Sequence, residues 1–168
     1  MSRRTSVAHF PCSIARTLDV VGDWWTLLVV RDISLGRCRF EQIHDSLGVA
    51  RNVLAERLQW LVDNEVLVRR LYQERPERYE YELTQKGEDL FGVLMAMWAW
   101  GDTWAAGDEG PPWGLSHRRA GATPDERGHV CHPAVVCSEC GEPIARRRVR
   151  VTRSRGPRTE PAQSHRRD

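Results

Sequence analysis

The feature that most constrains this chain is a pair of short helical segments, split by a glycine and followed at once by a strand–turn–strand pattern. Phe40, Ile43 and Leu47 mark a short helix over Glu41–Leu47, just after a very short strand at Arg39-Phe40, and Gly48 ends it. A second helix runs from about Ala50 to Asn64, with Leu54, Leu58 and Leu61 on one stripe and Arg51, Asn52, Ala55, Gln59 and Asp63 opposite. Two short helices joined by a tight glycine turn, the second half-polar, form a helix-turn-helix pattern. Val66–Tyr72 is rich in strand formers, Gln73–Arg78 is polar and holds Pro76, and Tyr79–Leu83 alternates with period two. A β-hairpin directly after the second helix is a wing.

The flanking segments are helical. Ile14, Leu18, Val21, Trp25, Leu28 and Val29 fall at spacings of three and four; Gly22-Asp23 separates a first helix from a second, which Leu35-Gly36 closes. Thr84 stands as an N-cap for a long helix reaching Ala106. Leu90, Val93, Leu94, Met97, Trp98, Gly101 and Trp104 repeat at helical spacing, and Phe91, Met95 and Trp100 widen the apolar surface beyond one face. One face serves the monomer core, and the rest calls for a second copy of the chain. The expected fold is therefore mainly α with a small β-hairpin, a dimeric winged helix-turn-helix over residues 1–106.

Past Gly107 the texture changes. Gly107–Pro112 reads as a linker into a small Cys/His-containing module over 107–151, and 152–168 reads as a disordered basic tail. Residues 1–106 carry 13 basic and 15 acidic side chains, whereas 107–168 carry 12 and 8. Lys86 is the only lysine beside 24 arginines, a bias that suits phosphate and guanine edges or simply reflects a GC-rich genome. No run approaches the ~18 apolar residues of a membrane span, and no apolar h-region follows Arg3-Arg4, so the expected compartment is the cytoplasm. Five scattered cysteines, Cys12, Cys38, Cys131, Cys137 and Cys140, do not suggest a disulfide framework. Cys137-Ser138-Glu139-Cys140-Gly141 is a C-x-x-C-G knuckle, half of a tetrahedral metal site.

The string Gly22-Asp23-Trp24-Trp25-Thr26-Leu27-Leu28, with Cys12, Leu18, Gly36 and Arg39-Phe40, resembles the opening of HxlR-type regulators. Leu54-x-x-Arg57-Leu58-x-x-Leu61, Pro76-x-Arg78-Tyr79-x-Tyr81-x-Leu83-Thr84-x-x-Gly87 and Trp100-Gly101 continue the match across about residues 11–105. The resemblance implies a homodimeric winged-helix repressor or activator that binds double-stranded DNA, often tuned by aldehydes, quinones or thiol oxidation. Family members often have serine where Ala50 stands here, so an N-cap worth ~1 kcal/mol is expected to be missing. Cys12 occupies the family's sensing position, and Arg16 lies one turn on, where a guanidinium favours a thiolate; a small buried hydrophobe is the other reading. Cys38 reads as packing. Relatives with this extension carry His-x-x-Cys-Gly upstream of the knuckle, whereas His117–Gly121 here has Ala120 for the cysteine. Cys131, His129 or His132 stand as replacements, so the module either holds a structural zinc, on Cys137, Cys140, Cys131 and His129, or is a metal-free relic. No other cofactor is required.

Within that frame Arg51 is expected to read guanine O6/N7 and Asn52 an adenine edge, or both belong to a merely solvated helix face. Arg39 is expected to hold phosphate. Arg57 borders the buried stripe and either reaches a phosphate or braces the helix. Arg75 and Arg78 at the wing tip are placed to enter the minor groove, or they pair with Glu74 and Glu77. Two other classes compete. One is a winged-helix protein-interaction module; the other is a thiol oxidoreductase using Cys137 and Cys140, against which no βαβ context surrounds the motif. No phosphate loop, nucleophile elbow or carboxylate pair marks an enzyme.

Overall fold

The computed structural model describes residues 6–123 and 125–152. The described residues up to Pro133 form one compact unit and those from Ala134 a second. Apart from Thr152, the tail expected to be disordered lies outside the described residues.

The first unit opens with α1 (Ser13–Val21) and α2 (Trp24–Ser34). Asp23, read from sequence as an interruption, is the N-cap of α2, its carboxylate accepting the Trp25 N–H at 3.0 Å. Helices α3 (Phe40–Leu47) and α4 (Arg51–Asp63) follow. Gly48 closes α3 with φ of 61°, and its N–H donates to the His44 carbonyl at 2.8 Å. Ala50 gives α4 no side-chain cap, as its methyl dictates. Leu54, Leu58 and Leu61 are fully buried and meet Val29, Val30 and Ile33 of α2 and Ile43 of α3 in one core. Truncating one such leucine to alanine costs ~2–5 kcal/mol, so the α4 stripe is what locks the helix pair to α2.

The wing is the antiparallel pair β1 (Leu67–Glu74) and β2 (Glu77–Leu83). It is longer than its apolar pattern indicates. Gln73 pairs with Arg78 and Glu74 with Glu77, leaving Arg75-Pro76, joined by a cis peptide bond, as the turn. Both faces of the wing's end are wet, so polar residues continue the ladder and the period-two signal disappears. The Gln73 side chain latches the tip by donating to the Arg75 and Pro76 carbonyls, each at 3.1 Å. The short strand expected at Arg39-Phe40 reduces to one bridge, Arg39 to Glu80, beside a Tyr81 N–H to Cys38 carbonyl bond of 2.7 Å.

The expected single helix from Thr84 to Ala106 is divided. Thr84 caps as anticipated, accepting the Gly87 N–H at 3.2 Å, but α5 (Gln85–Glu88) stops at a turn before α6 (Phe91–Trp104). A Cβ on Gly87 would lie 2.3 Å from the Val66 carbonyl oxygen, so α5 is pressed onto the start of the wing. No residue of α6 is buried within the single chain, and Met97, Trp100 and Trp104 are 52 %, 64 % and 75 % exposed. Ile14 and Leu18 of α1 are likewise exposed. Beyond α6, β3 (Leu115–His117) pairs antiparallel with β4 (His129–Cys131), a hairpin that belongs to the first unit. The 107–151 span read from sequence as one module is thus shared between two units. In the second, the knuckle closes through a Cys137 N–H to Glu142 carbonyl bond of 2.9 Å and a Gly141 N–H to Cys137 carbonyl bond of 2.8 Å.

Candidate DNA interface

Arg51 and Asn52 open α4, where a recognition helix meets base edges, and both are exposed. The Asn52 side chain makes no hydrogen bond among the described residues. Arg51 is held by a residue the sequence reading did not single out. Its two terminal nitrogens donate to the Glu41 carboxylate, one of them at 2.8 Å, and its guanidinium lies 5.0 Å from the Phe40 ring centroid. The Glu41 carboxyl is held below its ordinary range chiefly by those Arg51 hydrogen bonds, with the charge of Arg78 a smaller contribution. Glu41 thus joins the first turn of α3 to the first turn of α4. It stands ten positions before Arg51, on another helix, and only its place in the first turn of α3 could have hinted at it.

Arg39 sits at the N-cap of α3, its N–H donating to the Gln42 side chain at 3.0 Å. Its guanidinium stacks 4.2 Å from the Tyr72 ring centroid, and its Nε is 3.8 Å from Glu80. Arg39 thus spans α3 and the wing on a half-exposed stem. Arg75 and Arg78 make no ion pair among the described residues, so the pairing with Glu74 or Glu77 weighed from sequence is absent there. Of the two roles open to Arg57, the structure places it in the bracing one. Its side chain is 21 % exposed, and its terminal nitrogens lie 3.6 Å from Asp23 and 3.7 Å from Glu56. It ties the middle of α4 to the cap of α2. Arg39, Arg51, Arg75 and Arg78 are all exposed, Arg51 paired with Glu41 and Arg39 lying beside Glu80.

Cys12 occupies the N-cap position of α1 and is exposed, which rules out the buried-hydrophobe reading for the single chain. Cys38, half-buried, lies 3.9 Å from Glu80 through its sulfur, a contact the packing reading did not include. His117 and His129 face each other across β3 and β4 with ring centroids 5.3 Å apart, and Cys131 lies two residues beyond His129. In the knuckle, backbone hydrogen bonds from Cys140 and Glu139 hold the Cys137 thiol below its usual range. Among the described residues no group of three or more His, Cys, Asp or Glu is placed to hold a metal ion. A tetrahedral zinc needs four donors, and the knuckle itself supplies two, Cys137 and Cys140.

No helix among the described residues is long and apolar enough to cross a membrane. The model of the HxlR-like helix-turn-helix family matches residues 20–109. The uncharacterized HTH-type transcriptional regulator Rv3095 of Mycobacterium tuberculosis H37Rv is 39 % identical over 137 residues, 82 % of this chain and 82 % of that one. The HTH-type transcriptional regulator YodB of Bacillus subtilis is 34 % identical over 85 residues, 50 % of this chain and 76 % of that one. The crystal structure of PA1607, a candidate transcription factor, superposes with a TM-score of 0.73 at 37 % identity, covering 89 % of this chain and 100 % of that one. PA1374 of Pseudomonas aeruginosa, a second candidate transcription factor, gives 0.58 at 35 % identity over 88 % and 95 %. The winged helix with its outward arginines, the family match across it and the named relatives agree: this chain belongs to the HxlR-like helix-turn-helix family of transcriptional regulators.

Proposed function

We propose that the regulator works as a homodimer on an inverted repeat in double-stranded DNA and represses by occupying promoter DNA, without enzymatic activity. The observation that carries the DNA reading is the exposed first turn of α4, with Arg51 and Asn52 beside an arginine-bearing wing. Dimerisation is supported by the bare apolar surface of α6 and α1, which a single chain leaves in water. Arg51 and Asn52 read base edges, whereas Arg39, Arg75 and Arg78 hold backbone or minor groove. Cys12, exposed at the N-terminus of α1, is the proposed target of an oxidant or electrophile inducer; its modification adds bulk and alters charge beside the helices proposed to dimerise. The cytoplasm is the proposed setting. Metal analysis of the purified protein decides whether Cys137 and Cys140 take part in a structural zinc site.

The test separates base reading from phosphate holding. Arg51→Ala is expected to lose ~1–3 kcal/mol on its operator and to relax preference at one base pair. Arg39→Ala is expected to weaken all sequences alike and to reduce the salt slope by ~1. An Arg51→Ala variant that binds and discriminates as the parent does would place the recognition face elsewhere.

A further inference from the structure

We propose that the arginine run at Arg146–Arg150 is a second, sequence-independent contact to the phosphate backbone of duplex DNA; this rests on the DNA-binding reading of the winged helix. Arg146, Arg147 and Arg148 form one 3-10 turn, in which successive side chains leave the axis about 120° apart. They do not all face one way. Arg148 turns back and donates to Glu142 at 2.9 Å, and the Glu142 carbonyl accepts the Cys137 N–H at 2.9 Å. One residue thus fastens the turn to the knuckle. Arg146, Arg147 and Arg150 remain exposed, with no ion pair among the described residues. Val149 between them is extended, with φ of −106° and ψ of 132°. The segment after the knuckle therefore presents three exposed guanidinium groups with no ion pair among the described residues.

Charge and composition select the partner. Residues 1–106 carry two more acidic than basic groups, so the net charge of the winged helix does not itself draw the protein to DNA. Residues 143–168 hold nine arginines against Glu160 and Asp168. No aromatic residue follows Trp113. Single-stranded nucleic acid is held by stacking on aromatic rings and bilayer surfaces by Trp, Phe and Leu, and the run offers none of these. What it offers is guanidinium forks, which match phosphate oxygens in a sequence-independent way.

The experiment measures full-length protein binding to a 40-bp duplex of random sequence between 50 and 200 mM salt. Each phosphate contact contributes ~0.9 to the slope of log K against log salt. Arg146→Ala/Arg147→Ala/Arg150→Ala is expected to flatten that slope by ~2–3 per protomer and to leave the sequence preference of the winged helix unchanged. The triple lysine variant, which keeps the charge, is expected to retain the slope. A slope unchanged by the alanine variant overturns the proposal, as does tighter binding to phosphatidylglycerol vesicles than to the duplex. Failure of the winged-helix reading would show separately: binding-site selection would enrich no sequence while the slope still responded to the alanines.

Discussion

Gly87→Ala is expected to be the most damaging single-methyl change in the winged helix. The new Cβ would meet the Val66 carbonyl oxygen at 2.3 Å and Leu83 Cδ2 at 2.9 Å. Leucine can rotate, but the carbonyl is backbone and already accepts the Thr84 N–H at 3.1 Å. Relief must therefore move the start of β1 or push α5 away. Overpacking of this kind costs ~1–3 kcal/mol, and loosening the Thr84 cap adds up to ~1 kcal/mol. The conformational entropy removed from the unfolded chain by replacing glycine returns ~0.4–1 kcal/mol. Mid-range values give a net loss of about 2 kcal/mol, or ~8–16 °C in Tm for a domain of ~100 residues. Urea unfolding at one fixed protein concentration reads it directly, as a lower midpoint with unchanged m. A midpoint equal to that of the parent would refute the close approach of α5 to the wing.

Ala50→Ser is expected to raise stability by ~1 kcal/mol through a new N-cap on α4, measured as a higher urea midpoint with DNA preference intact; a lowered midpoint would count against the assigned helix start. Arg57→Ala is expected to destabilise the fold while leaving the salt slope of DNA binding unchanged, since Arg57 faces Asp23 and Glu56 instead of solvent; a slope reduced by ~1 would return it to phosphate. Diamide is expected to change the operator affinity of the parent and not of Cys12→Ser, by fluorescence anisotropy; an equal response in both would move sensing away from α1.

The parts of the fold legible in the sequence are those with a strong local period or a strong local breaker. Leu54, Leu58 and Leu61 could belong only to a buried helical stripe, Gly48 could close α3 cheaply, and Thr84 announced a cap. The division between α5 and α6 was hidden because Asp89 and Leu90 keep right-handed helical torsions and the apolar repeat runs on through them. The wing's true length was hidden by its wetness: Gln73, Glu74, Glu77 and Arg78 form ladder pairs with no buried face to impose alternation. The Arg51–Glu41 pair lies between two helices and emerges only when they fold together. Arg57 could be narrowed to two roles by its position at the edge of the stripe, but only the packed geometry brings Asp23 within 3.6 Å. Buried Asp32, which accepts from Arg31 at 2.7 Å, passed unnoticed because an acid next to a base at the end of a helix reads as surface.

The central claim is that a two-fold dimer reads DNA through the first turn of α4 and the wing. Selection of bound sequences from a random duplex library, followed by footprinting of the enriched site with full-length protein, tests it most directly. The expected result is an inverted repeat whose half-sites lie ~34 Å apart or a multiple of it, occupied by two protomers. Enrichment of a single asymmetric half-site bound by one protomer, or of no sequence at all, would contradict it.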